Sequence, residues 1–214
     1  GDPARGDLWV DSQGIWIASA SRSRGMATWP LDTSRGGAVD GILAHFSPNL
    51  DSLRWATYVG GPDLDGLTSL IPTPTAQGVR LAVVGWTQGM GTLSGNAVFS
   101  VPVPQSQAYY ALVHPQTGQR LAETYLQPQF CTSYGFLTAQ NPAGAYAAVG
   151  DSGAVLLSLG LGPACTGSGG YSGPLAPTAG VWQNPNSTQV LCWISAQGDS
   201  IYRTQYLGNG QLNR

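Results

Sequence analysis

Few side chains in this sequence could do chemistry. The histidines are His45 and His114, and neither has a carboxylate or cysteine nearby at ligand spacing, so a structural role is the plainer expectation for both. The cysteines are Cys131, Cys165 and Cys192, the nearest two 27 residues apart, which is no metal-ligand spacing. Asp63-Leu64-Asp65-Gly66 resembles the end of a calcium loop, but it has two acidic ligands and no glutamate downstream. A polar turn is the simpler reading of Asp63 and Asp65. Trp29, Tyr171 and Trp182 fall in long loops, where aromatic rings could stack on a sugar or anchor a protein, or simply cover the scaffold. Arg5-Gly6-Asp7 and the sequon Asn186-Ser187-Thr188 are short motifs consistent with exposed segments. No Gly-x-Ser-x-Gly, Walker-type glycine loop or His-Glu-x-x-His occurs, so the expectation is a protein without catalytic residues and without a cofactor.

The scaffold that must hold these residues is legible in the composition. All nine basic residues among the 214 are arginine, Glu123 is the sole glutamate, and there are 30 glycines and 15 prolines. A chain nearly emptied of Lys and Glu but rich in turn formers is expected to be all-β. The net charge of −2 leaves no basic stripe for nucleic acid and no polybasic patch for a membrane surface. No apolar run is long enough for a membrane-spanning helix.

A repeat organises the chain. Ile42 to Tyr58, Tyr109 to Tyr125 and Val190 to Tyr206 each span an interval of 16 residues without a gap, and each reads as two strands around a polar turn. Two further strands precede each hairpin. The first unit is Leu8 to Val10, Ile15 to Ala18, Gly41 to Phe46 and Leu53 to Val59. The second is Leu67 to Ile71, Val79 to Val84, Ala108 to Val113 and Arg120 to Leu126; the third is Tyr134 to Thr138, Ala145 to Val149, Gln189 to Ile194 and Ile201 to Leu207. Gly14, Gly78 and Gly144 sit in equivalent short turns, where positive φ is expected. Three repeated four-strand units predict β-propeller blades at 8–61, 67–127 and 133–208, all within a single segment, 1–214; a β-sandwich has no reason to repeat such a unit. The tyrosines Tyr58, Tyr125 and Tyr206 are expected to pack between blades.

Asp40-Gly41-Ile42-Leu43-Ala44-His45-Phe46-Ser47-Pro48 and Leu53-Arg54-Trp55-Ala56-Thr57-Tyr58-Val59-Gly60-Gly61 resemble the bacterial seven-bladed β-propeller repeats known as SBBP repeats. Gln77-Gly78-Val79-Arg80-Leu81-Ala82-Val83-Val84-Gly85-Trp86-Thr87 is similar to the strand that follows in that family. The likeness is carried by residues 8 to 90, is weak in the second hairpin, and in the third unit rests on Tyr206-Leu207-Gly208. It implies a propeller fold and a secreted or cell-surface location; it implies no catalytic site.

In a propeller the loops between second and third strands share a face with the connections between blades, so 22–39, 88–107 and 151–188 are expected on one face, with tight turns on the other. Binding is expected on the long-loop face. Cys131 would enter the third blade on that face and Cys165 lies in its 151–188 loop, which predicts a Cys131–Cys165 disulfide and an oxidising compartment, with Cys192 a small buried residue. Three blades do not close a ring. The uncovered blade faces therefore predict a protein partner, further blades or self-association, and hence a structural or interaction module of an extracellular, periplasmic or cell-surface assembly. The alternative is a carbohydrate-binding or adhesion module using Trp29, Tyr171 and Trp182.

Overall fold

The computed structural model describes residues 6–28, 32, 34–93, 97–98, 100–101, 107–126, 133–137, 154–161, 178–180, 189–195 and 197–208. Among these the chain is all-β, with no helix. Strands β1 (Asp7–Asp11), β2 (Gly14–Ser21), β3 (Asp40–Phe46) and β4 (Leu53–Val59) form one antiparallel sheet in chain order. A second sheet consists of β5 (Asp65–Thr75), β6 (Gly78–Thr87), β7 (Gln107–Val113) and β8 (Arg120–Leu126); a third, of β9 (Ser133–Leu137), β10 (Val155–Leu161), β11 (Gln189–Ile194) and β12 (Ile201–Gly208). All three are meanders, and none closes on itself.

The 16-residue interval is a cross-strand pairing. Ile42 faces Tyr58, Tyr109 faces Tyr125, and Val190 faces Tyr206. Each hairpin has a register shift three residues after the first member of that pair, between His45 and Phe46, Leu112 and Val113, and Trp193 and Ile194, and the third has another between Gln189 and Val190. The turns share a closure as well: Ser47 N donates to Ser52 O at 2.9 Å, His114 N to Gln119 O at 2.9 Å, and Ser195 N to Ser200 O at 2.9 Å. A left-handed residue, Leu50, Gly118 or Gly198, makes each turn possible. In the outer two turns the serine hydroxyl donates to an aspartate (Ser47 to Asp51 at 2.6 Å, Ser195 to Asp199 at 2.5 Å) and accepts the amides that follow.

Alternation along the strands sends two side-chain sets to opposite faces, and the sheets stack to bury them. Trp16, Leu43, Trp55 and Val59 from the first sheet meet Leu70, Leu81, Val83, Tyr109 and Tyr125 from the second. On its other side the second sheet brings Ala82, Val84, Tyr110 and Leu126 against Val155, Leu157, Val190 and Cys192 of the third. The second sheet is thus covered on both faces, which is why β7, Gln-Ala-Tyr-Tyr-Ala-Leu-Val, is buried along its whole length and its sequence shows no alternation.

The third sheet corrects two expectations. Its second strand is Val155–Leu161, within the stretch read as a 151–188 loop, and Ala145 to Val149 lies outside the described residues. Val155-Leu156-Leu157 offers branched and leucine side chains to the core, and Val155 and Leu157 are fully buried; an alanine-rich strand would bury far less apolar surface there. The stretch expected as a 151–188 loop is thus a strand at Val155–Leu161.

Gly14 is a place where only glycine fits. A Cβ there would come within 2.3 Å of the His45 ring nitrogen and of the Phe46 carbonyl oxygen.

Candidate interaction surface

The predicted binding residues fall in two groups. Trp29, Tyr171, Trp182, Cys131, Cys165 and the sequon 186–188 lie outside the described residues, as do Arg5 and Gly144. The others are described and can be placed.

His45 sits on β3 facing the second sheet, fully buried in an aromatic stack. Its ring is 4.1 Å from that of Trp16, nearly parallel, while Trp9 stacks on the far side of Trp16 at 4.5 Å and Trp55 meets His45 edge-on at 5.9 Å. Burial holds the imidazole below the ordinary histidine pKa, opposed by the Gln13 carbonyl 3.3 Å from Nε2. Both indoles, Trp16 and Trp55, donate to the carbonyl of Pro115 in the β7–β8 turn, at 2.8 and 3.1 Å. The stack thus clamps the first sheet onto the second. His114 belongs to that same turn, where its Nδ1 accepts the Gln116 amide at 3.3 Å.

Asp65 opens β5 and is buried beside Asp40, which opens β3. The Asp65 carboxylate accepts the Gly61 amide at 2.7 Å and the Gln88 amide at 3.3 Å; Asp40 accepts Gly36 and Gly37 at 2.8 and 2.9 Å. Burial raises the Asp65 pKa, against the Thr87 hydroxyl and these amides. The two aspartates fasten the crossing from the first sheet to the second, where Asp65 N also donates to Val39 O at 2.9 Å. Asp63 lies in the exposed crossing against Gly89. Among the described residues no group of three or more His, Cys, Asp or Glu side chains comes together to hold a metal. Asp7 is likewise occupied, accepting the amides of Leu8 at 2.9 Å and Leu70 at 3.0 Å.

Cys192 is a buried free thiol, its pKa pushed up to about 12 by desolvation. Tyr109, also buried, donates to Glu123, which pairs with Arg120 at 2.9 Å. Tyr109 belongs to the core between the first sheet and the second.

What remains available is a surface. On the face of the first sheet turned away from the second, the half near β4 is covered by the chain's own residues 23–28. Thr28 N donates to Ala56 O at 2.8 Å, Thr28 Oγ1 accepts Ala56 N at 3.0 Å, and the Tyr58 hydroxyl donates to Ser23 O at 2.8 Å and accepts Met26 N at 3.2 Å. Ile42, Ala44, Ala56 and Tyr58 are consequently buried. The expectation of a wholly uncovered outer face is thereby corrected. The strap returns on the third sheet, where Thr178 N donates to Thr204 O at 3.0 Å and Thr178 Oγ1 accepts Thr204 N at 2.9 Å. Sequence reasoning missed it, because a strap is fixed by one threonine opposite a strand edge, a signal too short to read. The other half of the outer face, near β1 and β2, stays open: Leu8 is 62% and Val10 54% exposed, beside half-buried Ile15 and Ile17.

No protein-family model matches the chain, and no curated protein matches it.

Proposed function

We propose that this chain is a non-catalytic β-propeller segment that serves as a structural subunit or protein-interaction module of an extracellular or envelope-associated assembly. The reading rests on one observation: three meander sheets with the same hairpin register stack in chain order, and the stack ends on a partly open apolar face built from Leu8, Val10, Ile15 and Ile17. Face-to-face stacking of successive four-stranded sheets is how propeller blades bury their cores. An apolar sheet face on the end of such a stack is an interaction surface by the ordinary reluctance of soluble proteins to leave one in water. The SBBP-like residues of the first hairpin and of β6 support the same fold and a location outside the cytoplasm, and a Cys131–Cys165 disulfide in the third unit would suit that location.

Cross-linking mass spectrometry on the protein in its native assembly tests this reading. Residues flanking Leu8, Val10 and Ile17 are expected to cross-link to another polypeptide or another copy. A native particle in which that face yields no such cross-link overturns the proposal.

A further inference from the structure

The threonine clamp that closes on two strand edges has a third, open copy. Register makes Ala56, Glu123 and Thr204 one position: they face Ala44, Ala111 and Cys192, each two residues beyond the first member of its hairpin pair. At Ala56 and Thr204 the clamp is the same two-point contact. The threonine N–H donates to the strand carbonyl, Thr28 to Ala56 at 2.8 Å and Thr178 to Thr204 at 3.0 Å, and the strand N–H donates back to the threonine Oγ1, at 3.0 and 2.9 Å. The pleat that turns the Ala56 amide and carbonyl away from β3 turns those of Glu123 away from β7, since both hairpins keep one register. Among the described residues no such clamp closes on Glu123, whose carboxylate takes the Tyr109 hydroxyl and the Arg120 guanidinium.

The second unit nevertheless carries the strap. Gly89-Met90-Gly91-Thr92 repeats Gly25-Met26-Ala27-Thr28, and Met26 and Met90 are the two methionines of the chain. Both copies are anchored on the equivalent tyrosine hydroxyl: that of Tyr58 accepts the Met26 amide at 3.2 Å, and that of Tyr125 donates toward Met90 O at 3.0 Å and Gly91 O at 2.5 Å. Thr92 therefore follows directly on an anchored carbonyl, and the anchoring Tyr125 is two residues from Glu123. Beyond the anchor the copies differ. Ala27 packs on Ile42, Ala44, Ala56 and Tyr58, and Thr28 is half-buried. Gly91 and Thr92 are exposed, and a Cβ on Gly91 would meet nothing within 4 Å. Open space around Gly91 and its lack of a side chain leave that stretch free to turn.

We propose that Thr92 is a strap poised to close on β8: its N–H donates to the Glu123 carbonyl and its Oγ1 accepts the Glu123 N–H, as Thr28 does at Ala56. Closure gives two edge groups of β8 protein partners in place of water, and it shuts the edge beside exposed Leu121 to strand addition. The inference stands apart from the interaction reading above, since it concerns the outer edge of the second sheet and needs no second polypeptide.

Amide hydrogen exchange of the full chain, read residue by residue by NMR, is the test. The Glu123 amide is expected to exchange about tenfold or more below its intrinsic rate. Thr92→Ser, which keeps the hydroxyl, is expected to retain that protection, and Thr92→Val, which keeps the shape without the acceptor, to abolish it. The Ala56 amide, held by Thr28, is expected to exchange equally in all three proteins and reports in the same spectra that the fold is retained. A Glu123 amide at its intrinsic rate in the wild-type protein, or one equally protected in Thr92→Val, overturns the clamp.

Discussion

The imidazole of His45 lies face to face with the indole of Trp16, centroids 4.1 Å apart and planes inclined by 10°. The carbonyl of Gln13 can only accept, so Nε2 carries the proton, and Nδ1 is buried without a partner. Desolvation lowers the His45 pKa, with Arg54 acting in the same direction and Asp11 opposing it. The folded state therefore binds a proton less readily than the unfolded chain, whose histidine titrates near about 6.5.

Stability is accordingly complete above the unfolded pKa and falls as pH drops through the range below it. The urea midpoint is expected to be lower at pH 5 than at pH 7.5. His45→Leu, the residue present at the equivalent Leu112, is expected to flatten that difference; a midpoint with the same pH dependence in the variant would refute the assignment.

The shared acceptor at Pro115 gives a second expectation. Trp16→Phe or Trp55→Phe removes one indole N–H and part of a buried ring but leaves the buried carbonyl bonded to the other indole, so each is expected to cost about 2 kcal/mol. Removing both orphans the acceptor, and the double variant is expected to lose more than the summed singles by about 1 kcal/mol or more. Denaturant unfolding of the four proteins gives the coupling directly.

Tyr58 and Tyr125 hold equivalent places and do the same task. The Tyr58 hydroxyl bonds Ser23 O and Met26 N, while that of Tyr125 donates toward Met90 O at 3.0 Å and Gly91 O at 2.5 Å. Tyr58→Phe is expected to destabilise by about 1 kcal/mol and to speed hydrogen exchange at the Met26 amide. Unaltered exchange there would show that the strap is held by Thr28 alone.

The thiols offer a direct count. Cys192, buried and with its pKa at about 12, is expected to resist maleimide in the native protein and to react on unfolding. With the proposed Cys131–Cys165 disulfide, the unfolded, unreduced chain should titrate a single thiol, and reduction should add two. Three thiols before reduction would exclude the disulfide.

The hairpins were readable from sequence because their cause is local. Ile42 and Tyr58 are 16 residues apart since a six-residue turn and one register shift leave no freedom in the pairing, and the same local rule fixes Tyr109 with Tyr125 and Val190 with Tyr206. The second strand of the third sheet was not readable. Ala145 to Val149 and Val155 to Leu161 are both short apolar runs that sequence alone ranks alike; it is Val155 and Leu157 that pack in the core with Ala82, Val84 and Tyr110.

Composition and periodicity thus determined an all-β chain of three repeated hairpins, because turn chemistry and the two-residue pleat act over a few residues. Tertiary structure alone decided which strands cross the core, that Thr28 and Thr178 strap their sheet edges, and that Asp65 and His45 serve the joints between sheets. It also decided that Leu8 remains in water while its equivalent Leu70 does not. Burial is a property of what lies opposite a residue, and neither Leu8 nor Leu70 carries that neighbour in its own sequence.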